Sequence, residues 1–279
     1  MTDPQHFVWY NNPDDQRKVE FFLEPLISII VPAFNLEGLL NRSVQALLQQ
    51  TYRNIEVLIV DDGSTDETYR IAQEFAQLDF RVRALQMPSN VGISKTRNAG
   101  MAEARGEFLT FSDGDDWTEP TQMAWYMDRF AKHPQAAMVS CGFVIEPSGK
   151  RNQSRKRGMV DQKEMLSLVS RPSGPVRGYT WNKCYRTAII KKHHLTFDDD
   201  VKLMEDALFN TRYIMHGQHY YIENTPLYHY VQRDGSAIHA GVTVTKKARD
   251  IMVVNARMQH IIAAGRERQS KKSKQSISD

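Results

Sequence analysis

Three aspartates, Asp113, Asp115 and Asp116, lie within four positions in the stretch FLTFSDGDDW, directly after a run of apolar and β-branched residues. Carboxylates this close together repel one another, and in an apolar setting the repulsion is costly unless a cation is present. Mg²⁺ and Mn²⁺ prefer hard oxygen ligands, typically one or two carboxylates together with substrate phosphates. The stretch therefore predicts a strand that ends at a divalent metal site facing a phosphate group.

Other sites that use clustered acids or phosphate-binding loops match this sequence less well. Counted from Asp113, an EF-hand would need Gly and Glu where the chain has Thr118 and Ala124. The sequence contains no Walker A loop, and PAFNLEG after the first predicted strand lacks the glycines of a dinucleotide-binding turn. Two interpretations stay open: a phosphatase with an aspartyl nucleophile, and a solvent-exposed acidic turn.

Further candidates follow other predicted strands. Asp62 ends the second strand, where its carboxylate could accept hydrogen bonds from a base or a ribose hydroxyl, whereas Asp61 could instead cap the next helix. Phe34 follows the first strand and could stack on a base or pack in the core. Arg97, in SKTRNAG, could face a diphosphate or lie on a solvated helix face.

Alternating strands and helices in the first half of the chain position these residues. Continuous apolar runs predict buried strands, and apolar residues at helical spacing predict helices. The strands are predicted at 26–34, 54–63, 81–85 and 107–112, and the helices at 36–50, 64–78 and 92–106. Ser64 with Glu67 fits a capping box at a helix start, and Gly106 fits a helix C-cap. The alternation predicts an open, parallel α/β sheet, in which ligands bind beyond the carboxyl ends of the strands.

The pattern after Trp117 is less regular. Helices are predicted at 121–133, 160–170, 205–217 and 246–265, and a strand at 136–145. The basic stretch 146–158 is predicted to be a loop or a hairpin tip, and two strand pieces are predicted on either side of Asn224–Pro226.

Composition excludes several classes of protein. A net charge of +3 is too weak for nucleic-acid binding by the whole chain, and no apolar run approaches the length of a membrane span. The polar start predicts no signal peptide. Cys141 and Cys184 lack metal-site spacing and are expected to be reduced thiols of a cytoplasmic protein. The basic segment 265–279 is predicted to be a disordered tail, or one attracted to an anionic membrane surface.

Five motifs occur in order along the chain: ISIIVPAFN, IEVLIVDDGSTDET, NVGISKTRNAG, GEFLTFSDGDDW and MEDALF. In this order they resemble the family 2 inverting glycosyltransferases, over most of residues 26–240. The resemblance implies an α/β GT-A (Rossmann-like) fold, with an open, mostly parallel twisted sheet flanked by helices and a helical C-terminal extension. It divides the chain into an N-terminal extension (1–25), the GT-A domain (26–240), a C-terminal helix (241–264) and the basic tail (265–279).

The resemblance implies that residues 26–117 bind a nucleotide-sugar donor, most often a UDP-sugar. Asp62 is then expected to contact the uracil, and Pro32, Ala33 and Phe34 to line the base pocket. Family members often carry Tyr where this chain has Phe34, so a hydroxyl contact is lost while stacking can survive.

The acidic cluster corresponds to the DxD-like motif of the family. Asp116 is expected to contact a Mn²⁺ or Mg²⁺ ion, Asp115 the ribose or the metal, and Asp113 the donor. Arg97 matches a position near the diphosphate.

Residues 118–240 are expected to bind the acceptor. The segment LMEDALF makes Asp206 the expected general base and Glu205 its neighbour on the acceptor side. Trp181, in YTWNKCYR, is expected to line the acceptor site and offers a flat face for a sugar ring, with burial in the core as the alternative.

A late segment, YHYVQRDGSAIH, resembles the part of the family that closes over the diphosphate. Its candidates are Arg233, Ser236 and His239, with His239 as a further metal ligand or a purely structural residue.

The activity implied is an inverting transfer of a sugar to a hydroxyl of a glycan or lipid-linked acceptor, in the synthesis of cell-surface polysaccharide or glycoconjugates. Two other classes of protein match these residues less well. A sugar-phosphate nucleotidyltransferase would need a glycine-rich basic loop, which PAFNLEGLL lacks. A non-catalytic binding module would not need both an acidic metal cluster and the second-half acids.

Overall fold

A ten-stranded sheet forms the centre of the protein, and helices cover it. The structure is a computed structural model that describes residues 7–11, 18–22, 24–152, 157–170, 176, 178–233 and 244–275. The strands are β1 (Phe7–Asn11), β2 (Lys18–Phe22), β3 (Ile27–Ala33), β4 (Ile55–Asp61), β5 (Val82–Gln86), β6 (Phe108–Phe111), β7 (Trp117–Thr118), β8 (Ala136–Glu146), β9 (Lys150–Arg151), β10 (Gly158–Asp161), β11 (Lys183–Arg186) and β12 (His219–Val231). The helices are α1 (Leu40–Leu48), α2 (Thr68–Leu78), α3 (Ile93–Glu103), α4 (Gln122–Lys132), α5 (Gln162–Val169), α6 (Thr187–Lys192), α7 (Glu205–Ile214) and α8 (Val244–Gln275).

The first half of the sheet is parallel, as the sequence predicts. β3 pairs in parallel with both β4 and β6, and β4 pairs in parallel with β5. Every residue of β3 and β4 is buried. Successive side chains of a strand point to opposite faces, so Ile29 packs in the cluster that contains Leu40 of α1, whereas Ile30 packs in the cluster that contains Met101 of α3. Helices on both faces explain why these strands are buried along their whole length and are mostly apolar.

The second half makes the sheet mixed. The strand order is β10-β12-β8-β11-β6-β3-β4-β5, with β7 paired to β12 and β9 paired to β8. β11 is antiparallel to both β6 and β8, while β8 and β12 are parallel. The β8–β9 pair confirms a hairpin in the basic stretch 146–158. An antiparallel strand therefore joins the part of the sheet that is predicted to bind the donor to the part that is predicted to bind the acceptor.

β12 is one strand where two pieces were predicted. Its pairing with β8 shifts register between Ile222 and Pro226 and again between Pro226 and Tyr228. Proline cannot donate to the ladder, so the irregularity falls where the sequence suggested a break. Gly142 of β8 lies opposite this bulge, and a Cβ there would come within 2.5 Å of the Asn224 carbonyl oxygen.

Two predicted helix ends were wrong. The capping box of Ser64 and Glu67 does not form: α2 begins at Thr68, whose N–H donates to the Asp66 carboxylate, and Ser64 Oγ accepts from another loop. Gly106 does not cap α3, which ends at Glu103. A Cβ at Gly106 would lie 2.6 Å from the backbone nitrogen of Ser28, so close packing of two chain segments explains this glycine.

The C-terminal helix α8 runs to Gln275 and so extends past residue 264, where the basic tail was predicted to begin. Its buried Val254 and Met258 pack with Ala207 and Leu208 of α7. Among the residues that the structure describes, none of the helices combines the length and the apolar character needed to cross a membrane.

Candidate active site

The carboxyl ends of β3, β4 and β6 bring the predicted site residues to one edge of the sheet. The Asp62 N–H donates to the Ala33 carbonyl at 2.8 Å, and the loop after β6 crosses the end of β3. A Cβ at Gly114 in this loop would lie 2.8 Å from Leu36 Cδ1 and 3.1 Å from the Pro32 carbonyl oxygen. Glycine at this position therefore lets the acidic loop lie directly on the end of β3.

Asp116 is the most enclosed of the three acids, with 1% of its surface exposed. Its Oδ1 accepts from the Val231 N–H at 2.7 Å, and its Oδ2 accepts from the Tyr228 hydroxyl at 2.7 Å. Burial, together with repulsion from Asp113 and Asp115, raises its pKa well above the usual range. Burial likewise raises the pKa of Asp113.

Two guanidinium groups neutralise part of this negative charge. Arg97 donates to Asp113 Oδ1 at 3.1 Å and to Glu205 Oε1 at 2.8 Å, and Arg233 Nε donates to Asp115 Oδ2 at 2.9 Å. Burial opposes the charge of Arg97, but attraction from Asp113 and then Glu205 outweighs it and raises the pKa of Arg97. The acidic cluster is thus already paired with cations contributed by α3 and by the end of β12.

The sequence predicted that Arg97 would face a diphosphate or lie on a solvated helix face, but the structure buries it. It is 4% exposed, and both terminal nitrogens bind carboxylates. Its role in this structure is to connect the acidic loop to the first turn of α7.

The acids suit a divalent cation chemically. Each carboxylate oxygen has two lone pairs, so Asp116 keeps acceptor capacity beyond its two hydrogen bonds, and the raised pKa values of Asp113 and Asp116 mark negative charge that a cation would stabilise. Within the described ranges no group of three or more His, Cys, Asp or Glu side chains could hold a metal. His239 and Ser236 lie outside the described residues.

The two acids after β4 have different surroundings. Both oxygens of Asp62 are bonded, Oδ1 to the Val91 N–H and Oδ2 to the Gly92 N–H, so this carboxylate fixes the loop before α3. Asp61 Oδ2 accepts from the Ser64 N–H, in the turn before α2. Its buried Oδ1 finds no partner among the described residues.

Further buried polar atoms at this edge have no hydrogen-bond partner in the described part of the chain: Ser94 Oγ in the first turn of α3, Arg97 Nε, and Ser112 Oγ after β6. Buried polar groups are normally paired. Orphaned atoms from three neighbouring elements indicate that this edge is built to receive a polar ligand.

Phe34 is 41% exposed at the end of β3, beside the buried Pro32 and Ala33. The alternative that Phe34 packs in the core is therefore wrong. Asn35 follows with φ 51°, and its side chain accepts from the Thr65 N–H. The aromatic ring is thus presented at the rim by a turn that is itself held in place.

Glu205 and Asp206 begin α7 on the other side of Arg97. Burial and then the Glu205 charge raise the pKa of Asp206 to about 7, although Arg97 and Lys183 oppose the rise. A carboxylate with a pKa near 7 can accept a proton at physiological pH. Through its bonds to Glu205 and Asp113, Arg97 joins the turn that carries this titratable acid to the acidic loop.

Trp181 is not a free platform for a sugar. It is 2% exposed, and one face stacks on Tyr179 at 4.6 Å between ring centroids while it also stacks on Tyr228 at 4.3 Å. The alternative of core burial is the one found. The partly exposed rings of this cluster belong to Tyr179 and Tyr230.

Sequence reasoning missed two residues of the site. Tyr228 binds the acidic loop through its hydroxyl. Lys183 is fully buried, and its ammonium donates to the Tyr179 carbonyl and to Asn182 Oδ1, with burial lowering its pKa to about 7. Alternation along YHYV and the lysine in WNKCYR were visible, but the acidic-loop partners of Tyr228 lie 112 and 115 positions away, and the local sequence does not mark Lys183 as buried.

Comparisons with known proteins agree with this geometry. The sequence profile of Glycosyl transferase family 2 matches residues 28–208. EpsH of Bacillus subtilis is 33% identical over 209 residues, which cover 74% of this chain and 60% of EpsH. The chain therefore spans less than two thirds of the length of this curated relative.

Two solved structures share the fold. S. aureus TarS 1-349 in complex with UDP-GlcNAc superposes with a TM-score of 0.69 at 22% identity, over 83% of this chain and 66% of that one. Mannosyltransferase PcManGT from Pyrobaculum calidifontis, in complex with GDP-Man and Mn²⁺, gives a TM-score of 0.56 at 16% identity, over 91% and 81%. Both similarities confirm the predicted GT-A architecture.

Proposed function

This chain belongs to glycosyl transferase family 2, and from that premise we propose that it is an inverting enzyme which moves a sugar from a nucleotide-diphosphate donor to an acceptor hydroxyl. The observation that carries the proposal is the link between the two halves: Arg97 binds Asp113 of the acidic loop and Glu205 beside the base Asp206. The proposed donor and acceptor sites thus meet at one buried guanidinium, which pairs with a carboxylate from each side.

The donor is proposed to be a UDP-sugar. The neighbouring TarS structure holds UDP-GlcNAc, and the mannosyltransferase holds GDP-Man, so a nucleotide sugar suits this fold. Phe34 supplies a stacking face for the base, and Asp61 Oδ1, in the same region, is an acceptor without a partner among the described residues. Asp62 supports the pocket through the loop before α3.

Asp115 and Asp116 would hold a Mn²⁺ or Mg²⁺ ion, with the donor phosphates as further ligands. When bound, the ion supplies positive charge for the diphosphate that departs. Arg233 lies beside Asp115 and adds a cation on the same side. Arg97 acts by positioning the acids and contributes charge from behind them.

Asp206 removes the proton of the acceptor hydroxyl. The hydroxyl oxygen forms a bond to the anomeric carbon as the bond from that carbon to the diphosphate oxygen breaks, and the nucleoside diphosphate leaves with the electron pair. Attack from the opposite face inverts the anomeric centre, so an α-linked donor gives a β-linked product. General base catalysis is typically worth about 10²–10⁴ in rate.

The acceptor is proposed to be a glycan or a lipid-linked saccharide of a cell-surface polymer. The basic sequence at the end of α8 and its exposed Met252 and Val253 support peripheral contact with an anionic membrane, where a lipid-linked acceptor would be found.

Incubation with a panel of nucleotide sugars and Mn²⁺ tests the activity directly. We expect one donor to raise the melting temperature, since a ligand bound by the native state stabilises it, and to release its nucleotide slowly by hydrolysis. A nucleotidyltransferase would instead consume a nucleoside triphosphate and a sugar phosphate. A binding module would show stabilisation without release. Failure of every nucleotide sugar to bind would contradict the proposal.

A further inference from the structure

Tyr228 of β12 is buried where the two halves of the candidate site meet. Its hydroxyl donates to Asp116 Oδ2 at 2.7 Å and accepts from the backbone N–H of Asp113 at 3.0 Å. One phenol group therefore orients both the carboxylate of Asp116 and the peptide that begins the acidic loop. Tyr228 begins the segment YHYVQRDGSAIH, in which the sequence pointed only to Arg233, Ser236 and His239.

The ring of the same tyrosine belongs to the acceptor half. It stacks on Trp181, with centroids 4.3 Å apart and planes 13° apart, and Trp181 stacks in turn on Tyr179 at 4.6 Å and 17°. Phe143 closes the cluster edge-on against Trp181 at 5.0 Å. Because Tyr228 and Trp181 are both nearly inaccessible to solvent, a shift of the indole ring cannot occur without a shift of the phenol.

Resting on the proposed function, we propose that Tyr228 is a positioning residue of the transfer reaction: through its hydroxyl it holds the acidic loop in the form that binds the metal–diphosphate group, and through its ring it couples that loop to the Trp181 stack. Trp181 then acts on donor binding, although it lies in the acceptor half of the sequence.

The contacts of Tyr228 distinguish this role from plain core packing. Buried tyrosine hydroxyls are normally hydrogen-bonded, as that of Tyr220 is to the Ile214 carbonyl, but the Tyr228 hydroxyl both donates and accepts within the acidic loop. Neighbouring residues of the same strand end act on the same loop, since the Val231 N–H binds Asp116 and Arg233 binds Asp115. Groups that orient metal-binding carboxylates typically change metal affinity or activity about 10–100-fold when they are removed.

The test compares Mn²⁺-dependent binding of UDP and GDP, by calorimetry, for the wild type, Tyr228→Phe and Tyr220→Phe. Tyr220 is a matched control: it lies in the same strand, is equally buried, and loses an equivalent bond from its hydroxyl to the Ile214 carbonyl. We expect Tyr228→Phe to weaken nucleotide binding about tenfold or more and Tyr220→Phe to leave it unchanged. Equal binding by both variants, or equal losses in both, would overturn the positioning role.

Coupling through the ring is tested by Trp181→Phe, alone and combined with Tyr228→Phe. We expect Trp181→Phe to weaken nucleotide binding several-fold in the wild-type background and to have little further effect once the Tyr228 hydroxyl is gone. Trp181→Phe also serves if Tyr228→Phe does not fold, because an unchanged affinity in that single variant would by itself refute the coupling. Normal binding by the wild type with unaltered variants overturns only this inference, while a wild type that binds neither nucleotide overturns the proposed function as well.

Discussion

Asp206 owes its proton affinity to its surroundings. Burial and Glu205 raise its pKa to about 7, and the positive charges of Arg97 and Lys183 limit the rise. Within the segment LMEDALF, both acids are carboxylates, so residue type alone does not distinguish Asp206 from Glu205 as the base. The Glu205 carboxylate accepts a hydrogen bond from Arg97. Asp206 is the acid at the start of α7 whose pKa is raised to about 7.

The rate of transfer should fall on the acid side of neutrality. A base must be unprotonated, so lowering the pH through about 7 should reduce kcat/KM, by about tenfold per pH unit once the pH is well below the pKa. The measurement is kcat/KM for transfer between pH 5 and 9. A profile that stays flat down to pH 5 would contradict the assignment of Asp206.

Replacing Asp206 by Asn should remove the base and keep the shape of the side chain. We expect transfer to fall by about 10²–10⁴ while Mn²⁺-dependent UDP binding stays close to wild type. Product formation and calorimetric binding are measured on the same preparation. Wild-type turnover in Asp206→Asn would show that another group takes the proton.

Lys183→Met should move the acid limb of the pH profile upward. The lysine charge lowers the pKa of Asp206, so removing it leaves burial and Glu205 less opposed. The substitution also removes donors from the Tyr179 carbonyl and Asn182 Oδ1, which should cost about 1–3 kcal/mol of stability. The pH profile and urea unfolding are measured together, and a loss of stability without a shifted profile would mean that Lys183 is only structural.

Residue types were easier to predict than their partners. The spacing of Asp113, Asp115 and Asp116 after an apolar run was enough to place them at the carboxyl edge of the sheet. The sharing of Arg97 between Asp113 and Glu205, 108 positions away, depends on where α7 lies, which local spacing does not encode. For the same reason, the sequence showed that Trp181 has a ring suited to stacking on a sugar, but it did not show that the ring is buried.

At the scale of elements, periodicity predicted the interior of each helix and strand better than its ends. β3 and β4 are mostly apolar and are buried along their whole length, and that pattern follows directly from burial on both faces. The end of α3 and the start of α2 depend instead on single contacts between loops, such as Gly106 against Ser28. The antiparallel insertion of β11 between β6 and β8 is a long-range pairing that no local pattern specifies.

The first turn of α7 should be sensitive to the size of residue 178. A Cβ at Gly178 would come within 2.5 Å of Ala207 Cβ and 2.8 Å of Ala207 Cα, so Gly178→Ala must displace the turn that carries Asp206. We expect kcat to fall at least about tenfold while UDP binding is retained. Gly38→Ala is the control, because nothing lies within 4 Å of its added Cβ. Equal kcat in both variants would show that the turn tolerates the displacement.

At the scale of the whole molecule, charge is distributed unevenly. The chain carries only +3 overall, yet the sequence from Gly265 onward is rich in Lys and Arg and continues a helix with exposed Met252 and Val253. Basic sequence of this kind is attracted to the anionic face of a bilayer, which supports the membrane contact proposed above.

Reversing the charge of Lys271, Lys272 and Lys274 to Glu should abolish binding to vesicles that contain phosphatidylserine. Each basic residue near such a surface is worth about 1 kcal/mol. The full chain should cosediment with anionic but not with neutral vesicles, and salt should release it. Sedimentation of the reversed variant with anionic vesicles to the wild-type extent would exclude these lysines as the anchor.

Helix α8 packs on α7 through Val254, Met258, Ala207 and Leu208. Asp206, the proposed base, therefore lies next to residues that contact the helix proposed to rest on lipid. A tilt of α8 upon adsorption would displace Leu208, which lies two residues after Asp206. We therefore expect the proposed adsorption of α8 on a bilayer to shift Asp206, and a comparison of turnover with and without anionic vesicles measures the effect of that shift.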